Sequence, residues 1–266
     1  MINMTLYKKE WKSNGILLLI FMAVLSIYSY MIIAMFEPQL GDSLKVMAES
    51  MPELFAAFGM LDVGTTLLEF ITGYLYGFLF IVFPCVFIII LTNRLIARYV
   101  DQGSMIYLLC TPVKRRKIAE TQACFLFSTL IFLTGYLVAL IILVSHFMFP
   151  GELENAAFLR MNVGLLGTYI FFGGVGFCIS CIFNESRKVL TISTAVVVYS
   201  LLVQMISQVG DKFENLKYIT PLTLFSPEKL AASEPEAWVA CIFLYIIGFS
   251  CVLFGIFRFE HRNLSI

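Results

Sequence analysis

Apolar residues fall in six long runs separated by polar connections: Ile16 to Phe36, Phe70 to Thr92, Ala123 to Phe149, Asn162 to Phe183, Val189 to Val209 and Ala237 to Phe257. Each meets the roughly 20 residues that a helix rising about 1.5 Å per residue needs to cross a hydrocarbon layer about 30 Å thick. None has the alternation of a barrel strand, and a chain in lipid must pair its backbone polar groups internally, so the runs predict six membrane-spanning helices. The third is longer than the layer requires, which predicts either tilt or an end lying at the interface. The first exceeds a signal peptide and lacks a small-residue cleavage site, so it is read as a retained span. The expected fold is all-α and polytopic, a single transmembrane domain over residues 1–266. An arm (1–15), an inner connection (93–122) and a tail (258–266) lie outside the spans.

Composition agrees. Of 266 residues, 60% are apolar and 14% charged, with a mean hydropathy of +0.89. An average soluble domain is nearer half apolar and a quarter charged. Eighteen basic residues balance eighteen acidic ones, leaving no overall charge to attract nucleic acid. Their placement is the informative part. The arm, the second and fourth connections and the tail together hold thirteen of the basic residues and five of the acids; the other three connections hold the remainder. The positive-inside rule then places both termini in the cytoplasm.

Met4, Tyr7 and Trp11 recur at helical spacing in the arm, with Lys8, Lys9 and Lys12 elsewhere around the helix. Such a segment either lies along the headgroups with its aromatics inward or serves as a positive flank that orients the first span. The outer connection Glu37 to Glu69 carries an apolar set at helical intervals over Ser43 to Met60, interrupted by Pro52, which predicts short surface helices. Tyr218 to Phe225 is too short to span and apolar enough to lie at the interface or dip back in.

The inner connection reads NRLIARYVDQGSMIYLLCTPVKRRKIAETQ from Asn93 to Gln122. Helix formers run to Asp101, Gly103 breaks them, and Met105 to Cys110 forms a short apolar piece ending at Thr111-Pro112. Pro112 disfavours helix at Thr111 and suits the start of the next helix. The expected path is a helix leaving the membrane, a tight turn, a short surface segment and a return through the basic run Lys114 to Lys117.

The stretch Gly103-Ser-Met-Ile-Tyr-Leu-Leu-Cys-Thr-Pro112-Val-Lys-Arg115 resembles the signature of ABC-2 type transporter permeases, in which a glycine and a hydroxyl residue precede two leucines, a proline and an arginine. Met51 to Gly59, Thr220 to Phe225 and the tail Arg262-Asn-Leu264 resemble the same family in order and spacing. Many members carry Glu where this chain has Tyr99 and Gly-Lys where it has Thr121-Gln122; the tail often ends Arg-Asp-Leu, and position 263 is Asn. The resemblance implies a type V exporter-like permease fold in a prokaryotic plasma membrane. It also implies a second permease subunit, homo- or heterodimeric, and a separate ABC ATPase that binds ATP and Mg. The coupling helix would lie around Met105 to Pro112, with Gly103, Tyr107, Leu108, Leu109, Pro112, Arg115 and Arg116 as its candidate contact residues.

No Gly-x-x-x-x-Gly-Lys-Ser/Thr run occurs, so the chain has no phosphate-cradling loop of its own and no cofactor is expected in it. The spans almost lack charge, which disfavours a proton-coupled carrier. An intramembrane enzyme would need a nucleophile with its base or paired metal ligands; the two histidines, His146 and His261, are far apart and no His-Glu-x-x-His or Gly-x-Ser-x-Gly exists. A structural or immunity-type membrane protein stays open by motif. Ser193, Ser200, Gln204 and Ser207 share one face of the fifth span and either bond neighbouring helices or line a substrate path. Gly164, Gly167, Gly173, Gly174 and Gly176 in the fourth span predict close helix approach, and Pro84 predicts a kink whose freed carbonyl a neighbour satisfies. Cys178-Ile-Ser-Cys181 has no second pair or nearby histidine and reads as apolar filler.

Overall fold

The computed structural model describes residues 3–36, 50, 66–109, 113–208 and 219–262. The expected helices within 43–60, the turn at Pro112, Tyr218, Val209 and the tail beyond Arg262 lie outside the described residues. Six helices are long and apolar enough to cross a membrane: α1 (Met4–Ala34), α2 (Leu67–Asp101), α4 (Arg115–Met148), α5 (Asn155–Ile182), α6 (Ser186–Gln208) and α8 (Pro235–His261). Short helices α3 (Met105–Leu109) and α7 (Pro227–Ala231) and a 3₁₀ turn, Pro221–Leu224, complete the described elements, among which there is no strand.

Each helix outruns the apolar run that predicted it, because capping rather than hydropathy sets where a helix starts. The Asn3 side chain accepts from the backbone N–H groups of Thr5 (3.1 Å) and Leu6 (3.3 Å), so α1 begins twelve residues before Ile16. Thr66 and Glu69 form a reciprocal capping box that starts α2. Pro235 occupies the first turn of α8, where its missing N–H costs nothing. By contrast α4 starts at Arg115 rather than at Pro112, with Lys114 in extended conformation as its N-cap.

Residues 4–15, expected as an arm distinct from the span, are continuous with it. Tyr7 and Trp11 meet Phe125 edge-on at 6.0 and 5.5 Å, and the Tyr7 hydroxyl donates to Ser128 Oγ at 2.9 Å. The two aromatics therefore pack against α4, and both stay half-buried. The most buried face of α1 runs through Leu6, Glu10, Asn14 and Leu18, four residues apart.

Helix α5 is the hub, and its glycines explain why. A Cβ on Gly173 would meet Leu130 of α4, one on Gly176 would meet Thr92 of α2, and one on Gly164 would meet Leu230 of α7. Against α8 the approach is backbone to backbone: a Cβ on Gly248 would lie 2.7 Å from the Ile170 carbonyl oxygen, and one on Gly174 closer still to the oxygen of Gly248.

Helix α2 is irregular at both ends, with π-helical turns over Thr72–Leu79 and Asn93–Ala97 flanking Pro84. Proline lacks the N–H that would bond the carbonyl four residues back, and here that carbonyl, on Phe80, accepts from the buried Tyr169 hydroxyl of α5. Three turns further along α5, Ser180 Oγ donates to the Thr92 carbonyl at 2.9 Å and accepts from the Ala97 N–H at 3.1 Å, inserting itself into the ladder of α2. Tyr169→Phe is expected to orphan a buried carbonyl and to destabilise the bundle by about 1–3 kcal/mol. Chemical denaturation in detergent measures it, and a variant as stable as the parent would show that the bond is dispensable.

Candidate functional site

Long-range bonds define one end of the bundle. The Asn3 N–H donates to Thr121 Oγ1 (3.0 Å), Arg115 Nη1 to the Arg262 carbonyl (3.0 Å), Arg262 Nη1 to the Cys181 carbonyl, and Asn93 Nδ2 to Ser186 Oγ (2.8 Å). The start of α1, the end of α8, the end of α2, the start of α4 and the α5–α6 turn thus share this end, called the terminal end below. It is also the end that carries the basic connection. At the opposite end Phe36 stacks edge-on against Phe149 (5.2 Å), and Arg160 Nη2 donates to the Ala231 carbonyl (2.7 Å).

The connection between α2 and α4 forms as its residues dictate. After Asp101 the chain reverses at Gly103, whose φ of +68° lies in the left-handed region that a side chain would disfavour. Ser104 Oγ donates back to the Tyr99 carbonyl at 3.2 Å, closing the turn. Helix α3 then rests on the bundle through Met105, 1% exposed, and the half-buried Leu108, and turns Ile106 (41%) and Tyr107 (80%) outward.

Of the residues singled out by sequence, Gly103 makes the turn and Tyr107 is the projecting side chain. Leu108 is an anchor. The Leu109 side chain and Pro112 lie outside the described residues. Arg115 is engaged with the carbonyl at the end of α8, and Arg116 forms an exposed i,i+4 pair with Glu120 at 2.9 Å. Ile106 was not singled out, although its place beside Tyr107 on a short amphipathic turn was the available signal.

The polar face of α6 divides along its length. Ser193 (3% exposed) and Ser200 (2%) are buried inside the subunit, where Ser200 Oγ donates to the Val196 carbonyl and the Ser200 carbonyl accepts from Thr220 Oγ1 at 3.0 Å. Gln204 lines a cavity of about 190 Å³ near the opposite end, beside Tyr76, Leu222 and Phe225. Ser207 Oγ donates to the Gln204 carbonyl at 2.8 Å. Beyond Thr194 the residues that α6 exposes are apolar: Ala195, Val198, Tyr199, Leu202 and Ile206.

A polar cluster that the sequence reading missed sits beside the connection. Glu10 of α1, 1% exposed, accepts at Oε1 from the Tyr99 hydroxyl of α2 (2.8 Å) and from Gln122 Nε2 of α4 (2.9 Å), and at Oε2 from Asn14 Nδ2 (2.9 Å). Three helices meet on one carboxylate. The signal available was a lone acid among the three lysines of the arm.

No curated protein matches the chain. The family model described as "ABC-2 family transporter protein" matches residues 4–264, nearly the whole length and all six long helices. With that match added to a six-helix, strand-free bundle carrying an ABC-2-like connection at its terminal end, the chain belongs to the ABC-2 transporter family as a multi-pass, membrane-spanning permease component of an ABC transporter.

Proposed function

We propose that this permease is one of two membrane subunits of an ATP-driven exporter, homo- or heterodimeric, in a prokaryotic plasma membrane, with both termini in the cytoplasm. A separate ABC ATPase binds ATP and Mg and docks on the connection between α2 and α4. The observation that carries this reading is α3: a five-residue helix anchored by Met105 and Leu108, presenting Ile106 and Tyr107 at the end rich in Lys and Arg. The charge distribution supports the orientation. A short helix braced on α2 is suited to pass on the movement of a docked partner, because α2 is itself stitched to α5 by Tyr169 and Ser180.

The cargo is hydrophobic or amphipathic. Support for this comes from a cavity of about 610 Å³ toward the opposite end, where Phe171, Ile219, Leu224 and Ile247 supply apolar wall and Thr220 and Lys229 polar edge. The cavity lined by Gln204 shares Thr223, Ser226 and Lys229 with this one, which supports assigning Gln204 to the path, with Ser207 about one turn beyond it, whereas Ser193 and Ser200 serve it through packing.

Purified in mild detergent from its native membrane, the permease is expected to bring with it ATP-hydrolysing activity at one ATPase chain per permease chain. A permease that purifies intact and free of any ATPase, under conditions that preserve its oligomer, would overturn the assignment.

A further inference from the structure

At the terminal end, α1 and α2 enclose a cavity of about 190 Å³ lined by Glu10, Asn14, Arg94, Arg98, Tyr99 and Gln102, all of them polar. Its inner wall is an acceptor surface. The Glu10 carboxylate is held by three donors that are all neutral, the phenol of Tyr99 and the amides of Gln122 and Asn14, and no cation lies within ion-pair distance of it among the described residues. Asn14 is 3% exposed, and with its amide nitrogen committed to Glu10 its Oδ1 has no partner among the described residues. A buried carboxylate with no cation in contact and a buried carbonyl oxygen without a donor are both costly, and one cationic donor group would relieve both.

The other wall is cationic. Arg94 and Arg98 stand one turn apart on α2 and make no hydrogen bond or ion pair among the described residues. Paired guanidinium groups at this spacing are suited to a phosphate. The cavity thus asks for a donor-bearing cation at one side and an oxyanion at the other. At about 30 Å³ per water its volume holds roughly six waters or one small polar headgroup.

Depth narrows the choice. Glu10 lies six residues before the apolar run of α1, about 9 Å along the helix axis, and Arg94 and Arg98 lie two and six residues beyond Thr92. These positions run from within the headgroup layer, which adds about 5–8 Å on each side of the hydrocarbon, to its outer edge.

We propose that this cavity binds a phosphoethanolamine group, supplied by a bilayer lipid. The ammonium meets Glu10 and Asn14 Oδ1, and the phosphate meets Arg94 and Arg98. Phosphocholine, whose nitrogen carries no hydrogen, cannot satisfy Asn14, and phosphoglycerol brings no charge to Glu10. The bound headgroup braces α1 against α2 one turn from Gly103, at the root of α3.

The test is native mass spectrometry of the full-length permease released from nanodiscs, with thermal unfolding as a second readout. Phosphatidylethanolamine doped into phosphatidylcholine is expected to be retained as one lipid per chain and to raise the unfolding midpoint. Retention over phosphatidylcholine should be about tenfold or more, the scale of one charge-assisted bond. Arg98→Gln, at an exposed position that leaves the Glu10 cluster intact, should lose about tenfold in retention with an unchanged midpoint in pure phosphatidylcholine. Asn14→Leu should reduce the preference for ethanolamine over choline several-fold, leaving what Glu10 contributes; should that variant fold poorly, the Arg98→Gln comparison decides by itself.

Equal retention of ethanolamine and choline lipids would overturn the proposal, as would retention of phosphatidylglycerol at least as tight as that of phosphatidylethanolamine, because the acceptor wall would then be unused. Glycerophosphoethanolamine in solution is the control for source. If it protects the permease in pure phosphatidylcholine discs as well as the lipid does, the lipid assignment fails.

Discussion

Replacing Tyr107 by alanine is expected to uncouple ATP hydrolysis from transport while leaving the permease folded. Tyr107 is 80% exposed on α3 and makes no hydrogen bond or ring contact among the described residues. An aromatic anchor at a docking surface contributes on the order of 2 kcal/mol, so the ATPase should bind about thirtyfold more weakly. Adding Ile106→Asp should finish the effect by burying an unpaired charge in the interface. Substrate-stimulated ATPase and transport in proteoliposomes measure the loss, with helicity and unfolding midpoint as controls. The choice of position matters. Leu108→Asp would strike the packing that holds α3 on the bundle, and reversing Arg115 would break its bond to the end of α8, so either could fail for reasons unrelated to docking. Arg116→Glu disturbs only an exposed surface pair with Glu120, which solvent screens, and so it tests the charge of the surface without touching the packing of α3. Full coupling in Tyr107→Ala, Ile106→Asp and Arg116→Glu together would falsify α3 as the docking element.

The second large effect is steric. Gly174→Ala places a methyl group against the carbonyl oxygen of Gly248, and Gly248→Ala places one 2.7 Å from that of Ile170. Neither obstacle is a side chain that can rotate away, so α5 and α8 must separate along their whole contact. A cost of about 3 kcal/mol, the upper end of the overpacking range, is expected for either change. Gly135→Ala is the control: its Cβ would meet nothing within 4 Å, and removing a helix-interior glycine should stabilise the protein by about 0.5–1 kcal/mol. Unfolding midpoints in detergent report both. Opposite signs confirm the contact map, and similar small changes at all three positions would mean that α5 and α8 are not in backbone contact.

Much of this architecture is legible in the chain. Hydropathy finds the six helices because a bilayer imposes one length and one composition on anything that crosses it. Gly103 announces a reversal because only glycine enters the left-handed region freely, and Pro84 announces an orphaned carbonyl because its ring replaces an N–H. The glycines of α5 announce close packing. Helix ends were less visible. They depend on caps such as Asn3 and the Thr66–Glu69 box, which a hydropathy window does not weigh.

The cluster at Glu10 shows why the rest was hidden. Tyr99 and Gln122 are two of the positions where the chain departs from the Glu and Lys of many family members, and read singly each looked like a lost charge. In the folded protein both donate to an acid carried by a third helix, 89 and 112 residues away in sequence. The same holds for the Arg115 bond to Arg262, for Ser180 in the ladder of α2, and for the burial of Ser193 and Ser200. The amino-acid order alone determined which segments are helical, how many there are, where the chain must reverse and which helix could be approached closely. These follow from hydration, dihedral freedom and missing donors, each acting within a turn or two of chain. Which faces meet was decided only by the assembled bundle, because a polar group in lipid takes whatever partner the packing brings, and that partner is fixed by the rotation of neighbouring helices and not by distance along the sequence.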